Sequence, residues 1–239
     1  MKPLVFWIIA FLLCIASGAT NSDIVAGLAG ICIIAAIVKT VKSSKAKKAE
    51  KLRKETEEKK RKYSWKYIDL EEVVVIDTET TGIKSNDEIV ELSILSGSGD
   101  VLFSEYIKPS YRKTWADAER IHHISPKMVA DSKTMDDYKG YIAGCLNDKI
   151  VVGYNVNFDL KMIQKYIPIR IKKRVDVMEA FAPIFGEWDE YHRDYKWQKL
   201  STCADYYHYD WGEDEEHDSL ADCKATLYCF NKMRELEDV

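Results

Sequence analysis

No two of the six cysteines, at positions 14, 32, 145, 203, 223 and 229, stand in a C-x-x-C pair. That absence argues against a cysteine-ligated metal module or a disulfide scaffold, and it suits a reducing compartment. Internal repeats are missing too, which sets repeat architectures aside. Positive charge is scarce where a nucleic-acid-binding body would carry it. Residues 39–66 hold 13 Lys or Arg against 4 Glu, and residues 1–38 hold Lys2 and Asp23. Since the whole 239-residue chain is −4, residues 67–239 carry −13. Such a body does not grip long duplexes in a broad basic groove.

Two apolar runs open the chain, residues 4–17 and 24–38, separated by Gly18-Ala19-Thr20-Asn21-Ser22-Asp23. With their small flanking residues each approaches the lower end of the length that spans a bilayer. The polar break reads as a turn, so residues 1–38 are expected to form a transmembrane helical hairpin. The lysines that follow mark the side holding both ends as cytoplasmic. Lys2, the apolar core and the small residues Ala16-Ser17-Gly18 also fit a cleaved signal peptide, which would leave residues 24–38 as a single anchor. A buried hairpin of a soluble protein is the third reading. Residues 39–66 read as a solvated helical linker, with Glu50–Lys54, Glu55–Lys59, Glu57–Arg61 and Glu58–Lys62 at i,i+4 in the favourable order. Its lysines would also be drawn to anionic headgroups, so residues 1–62 are the expected lipid contact.

The folded domain is expected over residues 67–239. Residues 73–76 form a short apolar run, as in a strand buried on both faces. Residues 88–95 and 101–108 flank Ser96-Gly97-Ser98-Gly99-Asp100 and read as a hairpin. A helix over 135–146, a strand over 150–152, a helix over 158–166 and a strand near 174–176 follow. Further helices are expected over 177–184, 199–207 and 220–236. Strand, hairpin, then alternating helices and strands is an α/β pattern with a mixed sheet.

Acids stand at telling places in that pattern. Asp77 follows the 73–76 run at the carboxyl end of the inferred central strand, where open α/β sheets place their sites. Glu79 lies two residues on and shares its face. Thr80-Thr81-Gly82 then turns the chain. Asp159 sits just past the second strand in N-V-N-F-D, with Asn157 the expected helix cap. Asp222 falls inside the last helix, on the side of Thr226, while Leu220, Cys223, Leu227 and Phe230 make the apolar stripe. His217 is expected in the loop entering that helix, leaning over the acids. Hydrolysis of a phosphodiester by metal ions needs carboxylates converging on one point, so that two divalent cations about 3.5–4 Å apart hold the attacking and leaving oxygens. Asp77, Glu79, Asp159 and Asp222 supply those carboxylates, with His217 as proton acceptor.

The segments V-V-V-I-D-T-E-T-T-G, A-E-R-I-H-H-I-S-P-K-M-V, V-V-G-Y-N-V-N-F-D-L, R-V-D-V-M, K-L-S-T-C-A-D-Y-Y and H-D-S-L-A-D together resemble the DEDD superfamily of 3′→5′ exonucleases. The branch is the histidine-bearing one, typified by the proofreading subunit of bacterial DNA polymerase III and by ribonuclease T. The resemblance runs from about residue 73 to 230. It implies a ribonuclease-H-like exonuclease fold with a mixed five-stranded sheet, and two Mg²⁺ or Mn²⁺ ions as cofactors. Asp77, Glu79 and Asp222 would hold one ion, with Asp77 bridging to a second that Asp159 supports. By the same resemblance Thr80, Thr81, Gly82 and Ile83 pack against the terminal nucleotide, and Asp117 and His122 fall where related enzymes touch substrate. His123 replaces the family's usual Gly, which questions the backbone of that loop. Residues 187–197 look longer and more aromatic than the family pattern. The expected activity is release of nucleoside 5′-monophosphates from the 3′ end of DNA or RNA. Any proofreading role would need a polymerase on another chain. The alternative is an exonuclease fold that binds nucleic acid or a polymerase without cutting; a scaffold, however, needs none of the five filled positions.

Overall fold

A computed structural model describes residues 38, 39, 41, 42, 45, 47, 48, 50, 51, 65–212 and 217–235. The chain divides into two compact units, Met1–Tyr63 and Ser64–Val239. In the first unit every described residue is helical and exposed, as suits a lysine-rich stretch with no apolar face to bury. Among the described residues no helix is long and apolar enough to cross a membrane. The hairpin expected over residues 1–38 lies, Val38 apart, outside them.

The second unit is built on a five-stranded sheet in the order β3-β2-β1-β4-β5. The strands are β1 Val73–Thr80, β2 Ile89–Ser96, β3 Val101–Tyr106, β4 Ile150–Gly153 and β5 Lys173–Asp176. β2 runs antiparallel to β1 and β3, whereas β4 runs parallel to β1 and β5, so the sheet is mixed as expected. The apolar run at 73–76 fills the middle strand, with helices on both faces, and all four side chains are buried. Trp65, within the stretch read as linker, is buried too, its ring 6.4 Å from that of Phe230.

Among the described residues six helices follow the hairpin: α1 Ala116–His122, α2 Met135–Leu146, α3 Val156–Gln164, α4 Val177–Phe185, α5 Leu200–Tyr206 and α6 Ser219–Glu235. Side chains alternate along β1, so its two faces pack against different helices. Val74 and Ile76 join Ile94, Ile142, Leu146, Leu160 and Ile163 in one core cluster, placing α2 and α3 on that face. α6 packs across β1, β2 and β4, and the Ser93 and Ser219 hydroxyls meet at 2.7 Å. Ser93 stands opposite Asp77 in the register. Val73, Val75, Asp77 and Glu79 therefore lie on the α6 face.

Three details differ from expectation. β1 continues to Thr80, so Asp77 and Glu79 lie within the strand rather than after it. The pairing with β2 carries them, until the register shifts between Glu79 and Thr80. α3 begins at Val156, capped by Asn155 in the left-handed conformation (φ 61°), and Asn157 is inside its first turn. Gly153 makes this early start possible: a Cβ there would stand 2.9 Å from Val156 Cγ2 and 3.1 Å from Ile76 O. Lastly, α6 is buried beyond the expected stripe. Ala221, Cys223, Ala225, Thr226, Leu227, Cys229, Phe230 and Met233 are all buried, whereas Leu220 is only half-buried. Small side chains let this helix approach the sheet closely.

Candidate active site

The carboxyl half of β1 carries the site. Along I-D-T-E-T, Thr78 and Thr80 are buried, while Asp77 and Glu79 are half-buried and point to the α6 face. Asp222 comes from the first turn of α6. Asp159 arrives from the other face, in the first turn of α3, and Thr78 Oγ1 donates to its Oδ1 at 2.7 Å. The acids thus straddle the end of the strand, and Thr78 fixes the one that comes round from behind.

His217 precedes α6 with φ 68°, a left-handed conformation, and is exposed. One ligand atom each from Glu79, His217 and Asp222 lie within 4.8 Å of one another. The structure therefore brings the histidine to the acids from the loop, as expected from its spacing.

How α6 is fastened was not foreseen. Glu91 Oε2 accepts the N–H of Ser219 at 3.0 Å, and Asp218 Oδ1 accepts those of Leu220 and Ala221 at 3.0 and 2.9 Å. These carboxylates satisfy amides that the first helical turn leaves unpaired, and they suit the positive end of the helix. Glu91 is also the cross-strand neighbour of Glu79. The signal for it was present: Glu91 is the one acid inside the apolar run Ile89–Ser96. Thr78 and Ser219 carried no such signal, because a hydroxyl in a strand or helix is ordinary.

Crowding like charges in a buried place disfavours ionisation. Burial, then Asp159, Asp222, Glu79 and Glu91, push Asp77 well above the carboxylate range. Burial, then Asp222 and Glu91, raise Glu79 to about 9. Burial raises Asp159 to about 7, although the Thr78 hydrogen bond opposes it. Glu91 is raised by burial as well, with the Ser219 amide acting against. Such a set is unfavourable as four anions and fits a divalent cation, which supplies the missing positive charge. Asp77, Glu79 and Asp222, with Asp159 behind, are the residues that could hold it.

The β1–β2 turn is braced from within. Thr80 Oγ1 donates to Gly82 O at 2.8 Å, and Thr81 Oγ1 donates to Asp87 Oδ1 at 3.1 Å while accepting the Glu88 N–H at 3.0 Å. Gly82 has φ 150°, and a Cβ on it would strike Asp87 Oδ2 at 2.6 Å. Both threonines are buried, so the turn offers a ligand the Gly82 backbone and Ile83, which is 87% exposed. His122 is buried at the end of α1: its Nδ1 accepts the Ile124 N–H at 3.0 Å, which leaves Nε2 protonated and facing Thr80 O at 3.2 Å. Burial lowers its pKa, so it is a neutral strut under the turn. Asp117 instead is exposed and pairs with Arg120. His123 takes φ 61° as the cap of α1, its N–H bonding Glu119 O. The loop thus keeps a glycine-like backbone without glycine.

A family model described as "Exonuclease", RNase_T, matches residues 74–230. Among curated proteins, an uncharacterised exonuclease of Escherichia phage 186 is 29% identical over 165 residues, covering 64% of this chain and 84% of the phage protein. A PolC-type DNA polymerase III of Thermotoga maritima is 33% identical over 172 residues, 68% of this chain but only 12% of the polymerase. The fold resembles exonuclease X in complex with 5′ overhanging duplex DNA, at TM-score 0.52 and 19% identity over 67% of this chain and 90% of that one. It also resembles E. coli exonuclease I in complex with a dA16 oligonucleotide, at TM-score 0.51 and 19% identity over 68% of this chain and 41% of that one.

Proposed function

Because the chain belongs to the RNase_T exonuclease family and is thus a nuclease hydrolysing phosphodiester bonds, we propose that it is a membrane-anchored 3′→5′ exonuclease using two Mg²⁺ or Mn²⁺ ions. The observation that carries this is the meeting of Asp77, Glu79, Asp159 and Asp222 at the end of β1, where burial raises Asp77, Glu79 and Asp159 above their ordinary pKa and repulsion from the other site acids raises Asp77 and Glu79 further. The bound cations would polarise the scissile phosphate and lower the pKa of the attacking water. Asp77, Glu79 and Asp222 would hold one cation, and Asp77 and Asp159 would support the second. His217 takes the proton that the water loses. Gly82 and Ile83 meet the terminal nucleotide of a single strand of DNA or RNA.

The test uses detergent-solubilised full-length protein and single strands labelled at either end. With Mg²⁺ or Mn²⁺, a 5′ label should appear on a ladder shortening from the other end, and a 3′ label should be released at once as mononucleotide. Equal hydrolysis in EDTA, or a 3′ label retained on shortened strands, would sink the reading.

The apolar runs at 4–17 and 24–38 followed by the lysine-rich tract support the anchor. Full-length protein should sediment with membranes and resist both high salt and alkaline carbonate, while protein lacking residues 1–62 should stay in the supernatant. Release by salt alone would mean that only the basic tract binds. Protection of the nuclease domain from protease in sealed, right-side-out cells places it in the cytoplasm; digestion there would reverse the topology.

A further inference from the structure

Between α4 and α5 the chain makes a small excursion, E-W-D-E-Y-H-R-D-Y-K-W. Trp188–Asp189 (β6) pairs antiparallel with Asp194–Tyr195 (β7). Strands of two residues do not hold themselves in water, and side chains do it here. Asp189 accepts the N–H groups of Tyr191 and His192 at 2.8 and 3.1 Å, and its Oδ2 lies 2.8 Å from His192 Nδ1. Trp188 and Tyr195 face each other across the pair, edge to face at 5.3 Å. At the base, Glu187 binds both Lys196 Nζ and Gln198 Nε2 at 2.9 Å.

Two rings stand largely exposed, and of these Tyr191 meets the His192 ring edge to face at 4.9 Å. Tyr191 is 89% exposed and Trp197 is 61% exposed, so neither belongs to a core. Three of the four acids in the excursion are engaged: Glu187 and Asp189 as above, and Asp194 with the Tyr195 N–H. Arg193 and Lys199 form no ion pair among the described residues. The braced hairpin therefore presents Tyr191 and Arg193 at its tip and Trp197 and Lys199 at its base, on a domain that is otherwise acidic. Its base is tied to the site as well. The Tyr154 hydroxyl lies 2.9 and 3.0 Å from the carbonyl oxygens of Gln198 and Lys199. Tyr154 directly follows β4 and precedes Asp159 by five residues.

We propose that this hairpin is a stacking platform for unpaired bases of the nucleic-acid strand whose end lies in the site, a role resting on the exonuclease reading above. Aromatic stacking accepts every base, since each has a π face. That tolerance is what removal of successive nucleotides requires, because each base in turn becomes the terminal one. Preformed rings lose little freedom on binding, and the nearby cations add attraction to the backbone.

The experiment uses full-length protein in detergent and a fluorescein-labelled DNA dodecanucleotide, read by anisotropy in EDTA, where no turnover is needed. Tyr191→Ala with Trp197→Ala should weaken binding by about 5- to 150-fold per ring lost. Tyr191→Phe with Trp197→Phe should bind within about twofold of wild type, since a ring remains. Unchanged dodecanucleotide binding by the alanine pair overturns the proposal and leaves the rings for a protein partner. Weakened binding in a protein that hydrolyses nothing keeps the platform and overturns the exonuclease reading instead.

Discussion

Asp77→Asn should abolish hydrolysis and, in EDTA, raise the melting temperature. On the reading proposed above Asp77 is a metal ligand, and the bound metal would supply several kcal/mol of charge stabilisation, so the rate should fall more than about 10³-fold. The thermal effect comes from the same carboxylate. Without metal, Asp77 stands buried beside Asp159, Asp222, Glu79 and Glu91. Unfolded carboxyls lose their protons near pH 4, whereas in the fold Asp159 holds its proton to about 7 and Glu79 to about 9. Between those values the native state binds more protons than the unfolded chain, so metal-free stability falls as pH rises from about 4 to 9. Removing one acid lessens that loss. Calorimetric melting at pH 5 and pH 8 should show a larger gain for Asp77→Asn at the higher pH, with about 2–4 °C for each kcal/mol relieved. Saturating Mg²⁺ should stabilise wild type far more than the variant. Equal melting of the two proteins at both pH values would contradict the crowded-charge account.

His217→Ala should slow hydrolysis by about 10²–10⁴-fold, the usual contribution of a positioned general base. An imidazole can accept a proton near neutrality, whereas the carboxylates around it are taken up with the cations they would hold. Backbone strain complicates the alanine variant, because His217 has φ 68°. His217→Asn is the companion, since asparagine tolerates that region better than most residues. If the imidazole matters, both variants should be slow, bind Mn²⁺ as wild type does in a calorimetric titration, and lose the acid limb of the pH–rate profile. If only the backbone matters, Asn restores the rate. A near-normal rate with an unchanged profile in both would hand proton transfer to bulk water, and "general base" would be the wrong role for His217.

The sheet was legible because the run at 73–76 is apolar on both faces and the apolar stretches beside it are short and bounded by turn residues; continuous short apolar runs report burial on both faces, and burial made these strands. The acids were legible because each follows or interrupts such an element. Less legible was anything set by contact across the sequence. Asn157 looks like a helix cap in the string N-V-N-F-D, but the close approach allowed by Gly153 moves the start of α3 back to Val156. Glu91 stands out as the one acid in the run Ile89–Ser96, but the Ser219 N–H that it accepts comes from α6, far along the chain. His122 looks like a substrate contact by resemblance, yet both of its ring nitrogens are engaged within the fold. Local pattern gives elements; partners from distant elements decide what a polar side chain does.

The order in which the chain is made gives the packing of α6 a further consequence. Asp77, Glu79 and Asp159 belong to elements that leave the ribosome well before Asp222, which follows Asp159 by 63 residues. At about 5–20 residues per second that interval is roughly 3–13 s. Throughout it the face bearing Val73, Val75, Asp77 and Glu79 lacks its covering helix, and the acids are open to water with no fourth ligand and no histidine. If Asp222 and His217 act as proposed, a half-made copy has no complete site with which to cut a nearby strand. On that reading the site is completed only when the last described helix docks and brings Asp222 and His217 together.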